Sequence, residues 1–169
     1  MKTIGVVLVM GCCMAAGKCY SVLLMRRIRE LERTILMIRQ IEIQVGFSQC
    51  PVAEIILALA GNQEFAALKY LEACAGRLRS GIPFPQAWRE AVTQEAGRSA
   101  LNREDLELLL SFGRGLGTTD LSGQEKLCSM HEQMLEEQLN AARRQYQSRG
   151  KLGTVLGAAA GAVAVIFFI

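Results

Sequence analysis

Apolar residues along this chain recur at spacings of three and four rather than two. From Arg26 onward, Ile28, Leu31, Ile35, Ile38, Ile41 and Val45 keep that rhythm, which collects them on one face of an α-helix. The helix is predicted to continue a preceding apolar stretch as one rod, ending near Val45. Gly46–Cys50 breaks it, and Pro51 suits the first turn of a second helix carrying Val52, Ile55, Ile56 and Leu59, which Gly61-Asn62 ends. A third helix turns Phe65, Leu68, Leu71, Ala75 and Leu78 inward and stops at Ser80-Gly81-Ile82-Pro83. Pro85 opens a short fourth with Ala87, Trp88, Ala91 and Val92. Asn102-Arg103-Glu104-Asp105 sets a cap and an acidic partner three residues on, starting a fifth. The sixth runs from about Asp120 towards Arg149, with Leu127, Met130, Met134, Leu135, Ala142 and Tyr146 inward. No useful stretch alternates with period two. The expected fold is all-α: a six-helix antiparallel bundle.

The fifth and sixth helices meet in the stretch Leu106–Leu127, where an apolar helical run breaks at Gly113, Gly115 and Gly117. Glycine enters positive φ without a Cβ penalty, so the cluster is expected to end a helix and reverse the chain. Thr118, Thr119, Asp120 and Ser122 then offer side-chain oxygens to the free N–H groups of the next helix. From spacing alone the segment reads as a helix–helix loop; its second reading is a surface offered to a partner.

Thr3–Met25 is apolar except for Lys18, and Leu152–Ile169 carries no charge. As helices these runs reach roughly 34 Å and 27 Å, against a hydrocarbon core of about 30 Å. They are expected to be an N-terminal transmembrane helix (residues 1–25) and a C-terminal transmembrane helix (residues 152–169). Residues 26–151 then form the bundle. Arg26, Arg27, Arg29 and Arg33 follow the first run, and Arg143, Arg144, Arg149 and Lys151 precede the second. The positive-inside rule places the segment between them in the cytoplasm and both termini outside. The rival reading is an exported or lipid-anchored helical protein-binding module, cleaved near the partial lipoprotein-type box Val9-Met10-Gly11-Cys12.

Charge sharpens the picture. Of the 19 basic residues, setting aside Lys2, Lys18 and the eight that border the apolar runs leaves nine against 16 acidic ones. The bundle itself is therefore acidic, and a nucleic-acid partner is disfavoured. Six cysteines show no C-x-x-C spacing: Cys12, Cys13 and Cys19 fall in the first apolar run, and Cys50, Cys74 and Cys128 are scattered. Buried free thiols in a reducing compartment account for them. The one histidine, His131, stands beside Glu132 in an acidic helix and reads as solvent-facing. Glu104, Asp105, Glu107, Glu132, Glu136 and Glu137 read as a solvated face with i,i+4 pairs. Trp88 reads as a buried indole anchoring the fourth helix. No nucleophile elbow, phosphate loop or H-E-x-x-H motif occurs; no catalytic residue, metal or cofactor is expected.

One run is specific: Leu109-x-x-Phe112-Gly113-x-x-Leu116-Gly117-x-x-Asp120-x-x-x-Gln124. With Gly81 followed by Gln86-Ala87-Trp88, the helix start Cys50-Pro51-Val52-x-Glu54, and the paired terminal apolar runs, it resembles the stage III sporulation protein AB family of endospore-forming bacteria over nearly the whole chain. That family is similar in turn to the cytoplasmic domain of the type II secretion inner-membrane platform protein, a six-helix bundle. Cys50 before Pro51, and Pro83-Phe84-Pro85, stand where the family usually has Ser or Thr caps, so local capping there is expected to differ.

The resemblance implies a non-enzymatic scaffold of the channel complex between mother cell and forespore, in the mother-cell membrane. Its implied partners are a secretion-type ATPase, ring-forming membrane proteins and further copies of itself. The candidate structural and interaction residues are Phe112, Gly113, Leu116, Gly117, Asp120 and Gln124, with Trp88.

Overall fold

The computed structural model describes the backbone of residues 2–48 and 50–168 and the side chains of residues 21–46 and 50–148. Among the described residues there are six α-helices and no strand: α1 (Lys2–Ser48), α2 (Val52–Ala60), α3 (Lys69–Arg79), α4 (Phe84–Glu95), α5 (Arg103–Gly115) and α6 (Leu121–Phe168). Each helix packs on the next, and the circuit closes because α6 returns antiparallel along α1. Arg39 on α1 reaches Glu132 and Glu136 on α6, at 2.5 and 2.8 Å. Arg143 meets Glu32 at 2.6 Å. One continuous core runs from Ile28 to Ala142.

The six helices agree with the apolar periodicity, with local differences at their starts. Instead of one helix from Phe65, a 3-10 turn over Gln63–Phe65 precedes α3. Asn62 Oδ1 accepts from Glu64 N–H at 3.0 Å and winds this turn tightly. Phe65 and Leu68 are then both buried at the three-residue spacing such a turn supplies. Pro51 and Pro83 stand at the starts of α2 and α4, and neither helix has a side-chain cap.

The inward line of α6 also departs from expectation. It runs through Cys128, His131, Leu135, Leu139 and Ala142, while Met130 and Met134 are 43% and 37% exposed. A thiol and an imidazole occupy the buried face where the two methionines had the stronger apolar claim.

The acidic start of α5 is not simply a solvated face. Asp105 is buried and closes a reciprocal capping box with Asn102. Its N–H donates to Asn102 Oδ1 at 2.8 Å, and its Oδ2 accepts from Asn102 N–H at 2.9 Å. The same carboxylate receives Arg27 as a fork, Nε to Oδ2 at 2.8 Å and Nη2 to Oδ1 at 3.0 Å. Arg27 Nη2 also reaches Gln138 Oε1 at 3.1 Å, and Gln138 Nε2 donates to Glu104 Oε2 at 3.2 Å. Arg27 therefore is not a flank residue turned to a membrane surface; it is buried and ties α1 to α5 and α6. Two charges can stay in a protein interior only when paired and fully hydrogen-bonded.

The two expected membrane helices lie, apart from residues 21–25, outside the residues whose side chains are described. Among the described residues no helix is long and apolar enough to cross a membrane.

Breaking the Arg27–Asp105 pair from one side leaves a buried charge without a partner. Arg27→Met or Asp105→Asn alone is expected to cost about 3–5 kcal/mol. The double substitution is expected to recover a large part of that loss, because Asn still caps α5 and no charge remains buried. A double-mutant cycle by urea unfolding of residues 26–151 checks this; additive losses would refute it.

Candidate functional site

The specific sequence run lies along α5 and the turn into α6, and its positions divide between packing and exposure. Trp88, on α4, is buried, and its Nε1–H donates to the Leu109 carbonyl at 2.8 Å. Its indole has Tyr70 and Phe84 at centroid distances of 5.7 Å and Phe112 at 6.1 Å. Gly113 lies against the indole so closely that a Cβ there would collide with the ring. Gly113 therefore does not end a helix, as its place in the glycine cluster suggested. It remains inside α5 and admits the tryptophan.

Gly115 has a similar task on another face, since a Cβ would come within 2.8 Å of Leu127. Only Gly117 reverses the chain. Its φ is +80°, and the Val52 side chain approaches within 3.2 Å of where a Cβ would stand. Leu116, just before it, is buried, and its N–H donates to the Phe112 carbonyl at 3.0 Å.

Beyond Gly117 the chain is exposed. Thr118 Oγ1 donates to the Gly115 carbonyl at 2.7 Å, closing the end of α5. Asp120 Oδ1 accepts from Gly123 N–H at 3.1 Å, the expected cap of α6. Gly123 itself was not singled out in the sequence; a Cβ there would come within 2.7 Å of Thr119 and 2.9 Å of Asp120. Gln124 Nε2 donates to the Thr119 carbonyl at 3.1 Å, while its Oε1 is buried with no hydrogen-bond partner among the described residues. Thr118, Thr119, Asp120 and Leu121 form an exposed rim at the end of the bundle where α1 finishes and α2 begins. The structure thus joins Trp88, Phe112, Gly113 and Leu116 in the core and leaves Gly117 and Asp120 at the surface, with Gln124 bracing the turn from below.

His131 is not solvent-facing: it is 2% exposed. Its Nδ1 lies 2.9 Å from the Leu127 carbonyl, and its ring meets Phe112 edge-on at 5.5 Å. A carbonyl can only accept, so Nδ1 carries the hydrogen. The polar atom satisfied one turn back is what lets the imidazole enter the core.

Burial pushes the Cys74 and Cys128 thiols up to about 12, so neither is a thiolate near neutrality. Burial also raises the Tyr70 phenol, whose hydroxyl lies 2.9 Å from Thr34 Oγ1. Among the described residues no three His, Cys, Asp or Glu side chains converge as metal ligands. A groove of about 340 Å³ between α5 and α6 is lined by Glu104, Glu107, Leu108, Met134, Glu137 and Gln138. Its side chains comprise no nucleophile with an adjacent base.

The indole seat can be tested directly. Gly113→Ala forces Trp88 away from Leu109 and is expected to destabilise the bundle by about 1–3 kcal/mol. Trp88→Phe loses the buried hydrogen bond and part of the ring, and the two losses are expected to be strongly non-additive because the smaller ring makes room for the added methyl and the methyl fills part of the space it leaves. Urea denaturation of both single variants and the pair checks this.

A family model described as stage III sporulation protein AB matches residues 2–169. A solved structure titled "Stage III sporulation protein AB (SpoIIIAB)" superposes with a TM-score of 0.64 at 20% identity, covering 72% of this chain and 97% of that one. At that identity the superposition speaks for the fold alone. No curated protein matches. A family model covering nearly the whole chain, over a bundle whose Trp88 seat and Gly117 turn are built from the motif's own residues, shows that the chain belongs to the stage III sporulation protein AB family.

Proposed function

We propose that this sporulation protein is a membrane-anchored scaffold of the channel complex between mother cell and forespore, without chemistry of its own. In this reading residues 1–25 and 152–169 are the anchors in the mother-cell membrane and residues 26–151 are a cytoplasmic bundle. The bundle couples a secretion-type ATPase to ring-forming membrane proteins.

The observation that carries the reading is the antiparallel course of α1 and α6. Arg27 lies by Gln138 and Arg39 by Glu132, so the start of α1 and the end of α6 leave the bundle at the same end. The Gly117–Leu121 rim stands at the other. Two adjacent anchors at one end and an exposed, capped turn at the far end suit a stalked adaptor better than a catalyst. The buried, protonated Cys74 and Cys128 thiols support the non-enzymatic reading.

Two measurements test it. Cys50 is exposed, whereas Cys74 and Cys128 are buried, so Cys50 is the proper reporter of sidedness. It is expected to resist a membrane-impermeant thiol reagent in intact cells and to react after gentle lysis, with Cys50→Ser as the blank. Labelling before lysis would favour the exported or lipid-anchored module.

For coupling, Asp120→Asn keeps the cap of α6, since Asn caps about as well as Asp. It is expected to leave the melting temperature unchanged and to weaken co-purification of the ATPase or the ring proteins. Unchanged co-purification would reduce the turn to a structural hinge.

A further inference from the structure

The eight bases that border the apolar runs look equivalent in the sequence, and the structure sorts them. Arg27 is consumed by Asp105 and Gln138, and Arg143 by Glu32. Arg149 and Lys151 lie outside the described side chains. Arg26, Arg29, Arg33 and Arg144 are exposed, and none of them pairs with a carboxylate among the described residues. The acids that could have neutralised them are engaged elsewhere. Glu30 takes Ser99 Oγ at 2.6 Å and Ala100 N–H at 2.9 Å, and Glu32 takes Arg143 at 2.6 Å. Residues 1–29 and 138–169 contain no Asp or Glu.

The arrangement along α1 is directional. Val22, Arg26, Arg29 and Arg33 follow at steps of four, three and four, which keeps them on one outward face. Val22 and Leu23 are 53% and 52% exposed, so this side of the helix passes from bare apolar surface to unpaired guanidinium within one turn. Over the about 10 Å from Arg26 to Arg33, guanidinium groups can reach back towards an interface by snorkelling. Arg144 adds a charge on the adjacent α6. An exposed apolar-to-cationic step suits the boundary between hydrocarbon and headgroups, and the missing carboxylates make that boundary attractive to anions.

We infer that Arg26, Arg29, Arg33 and Arg144 form a collar that binds the phosphates of anionic phospholipids at the base of the bundle. The collar rests on the anchored reading above. It gives the stalk a lipid preference that the anchors alone do not supply.

The test uses the full chain reconstituted in phosphatidylcholine vesicles, with and without phosphatidylglycerol, and traces of each lipid carrying a headgroup-proximal photoreactive group. The wild-type chain is expected to crosslink phosphatidylglycerol preferentially, and added salt is expected to erode that preference. One base near an anionic surface is worth roughly fivefold in affinity. R26Q/R29Q/R33Q/R144Q is therefore expected to lower the preference at least about tenfold at an unchanged melting temperature. R79Q/R89Q/R114Q, three exposed arginines elsewhere on the bundle, is expected to leave it intact.

Flotation with both vesicle types but equal crosslinking of the two lipids would overturn the collar and leave the anchors standing. Equal loss in both variants would also overturn it, as an effect of net charge. Flotation with anionic vesicles only, lost in the collar variant, would overturn the anchors and with them the collar, leaving the arginines a peripheral anion-binding patch. Failure to float with either type would overturn both.

Discussion

Arg27 and Asp105 are 78 residues apart in sequence and meet in the interior, and the closure of the bundle depends on that meeting. A buried carboxylate is tolerable only with its lone pairs filled. Asn102 and Arg27 fill them, while Gln138 brings α6 into the same network. The result is one polar knot between the first helix, the start of the fifth and the middle of the last. Apolar contacts can repack with neighbours of similar size, whereas a forked guanidinium needs its carboxylate in one geometry. The knot thereby sets how the α1–α6 pair sits on the smaller helices.

A second constraint is steric. Trp88 brings the largest side chain in the core across to α5, and Gly113 is the position that admits it. The indole N–H is satisfied by the carbonyl of Leu109, four residues earlier on the same helix. Phe112 then lies between Trp88 and His131, carrying the packing across to α6. Much of the family-specific run is thus explained by packing around one tryptophan. What is left for an outside partner is the short exposed segment after Leu116.

This division bears on function. The motif's buried half packs the core around Trp88, and its exposed half sits at the end away from the exit of α1 and α6. The proposed adaptor role rests on this separation of a packed core from an exposed, capped turn. Burial keeps the Cys74 and Cys128 thiols protonated, and the Leu127 carbonyl holds His131 through Nδ1.

The helix count, most boundaries, the cap pair Asn102–Asp105, the burial of Trp88 and the Asp120 cap were legible in the sequence, because each depends on local spacing or on side chains within one turn of the backbone they serve. The apolar face of α1 was legible for the same reason. The fates of Arg27 and Asp105 were legible only in part: Arg27 stands three residues after Leu24 and four before Leu31, on the apolar face, but the carboxylate that lets it stay buried there cannot be read from that spacing. Their partners come from helices far along the chain. Gly113, Gly115 and Gly117 looked like one breaker cluster, yet one seats an indole, one passes a leucine and one turns the chain. Composition cannot separate these tasks, because what decides them is the atom that arrives from another helix. His131 and the two methionines changed places for a related reason. Hydrophobicity scales rank isolated side chains, while the tertiary structure supplied the imidazole with a carbonyl and an aromatic edge, and so made the polar group the better core residue.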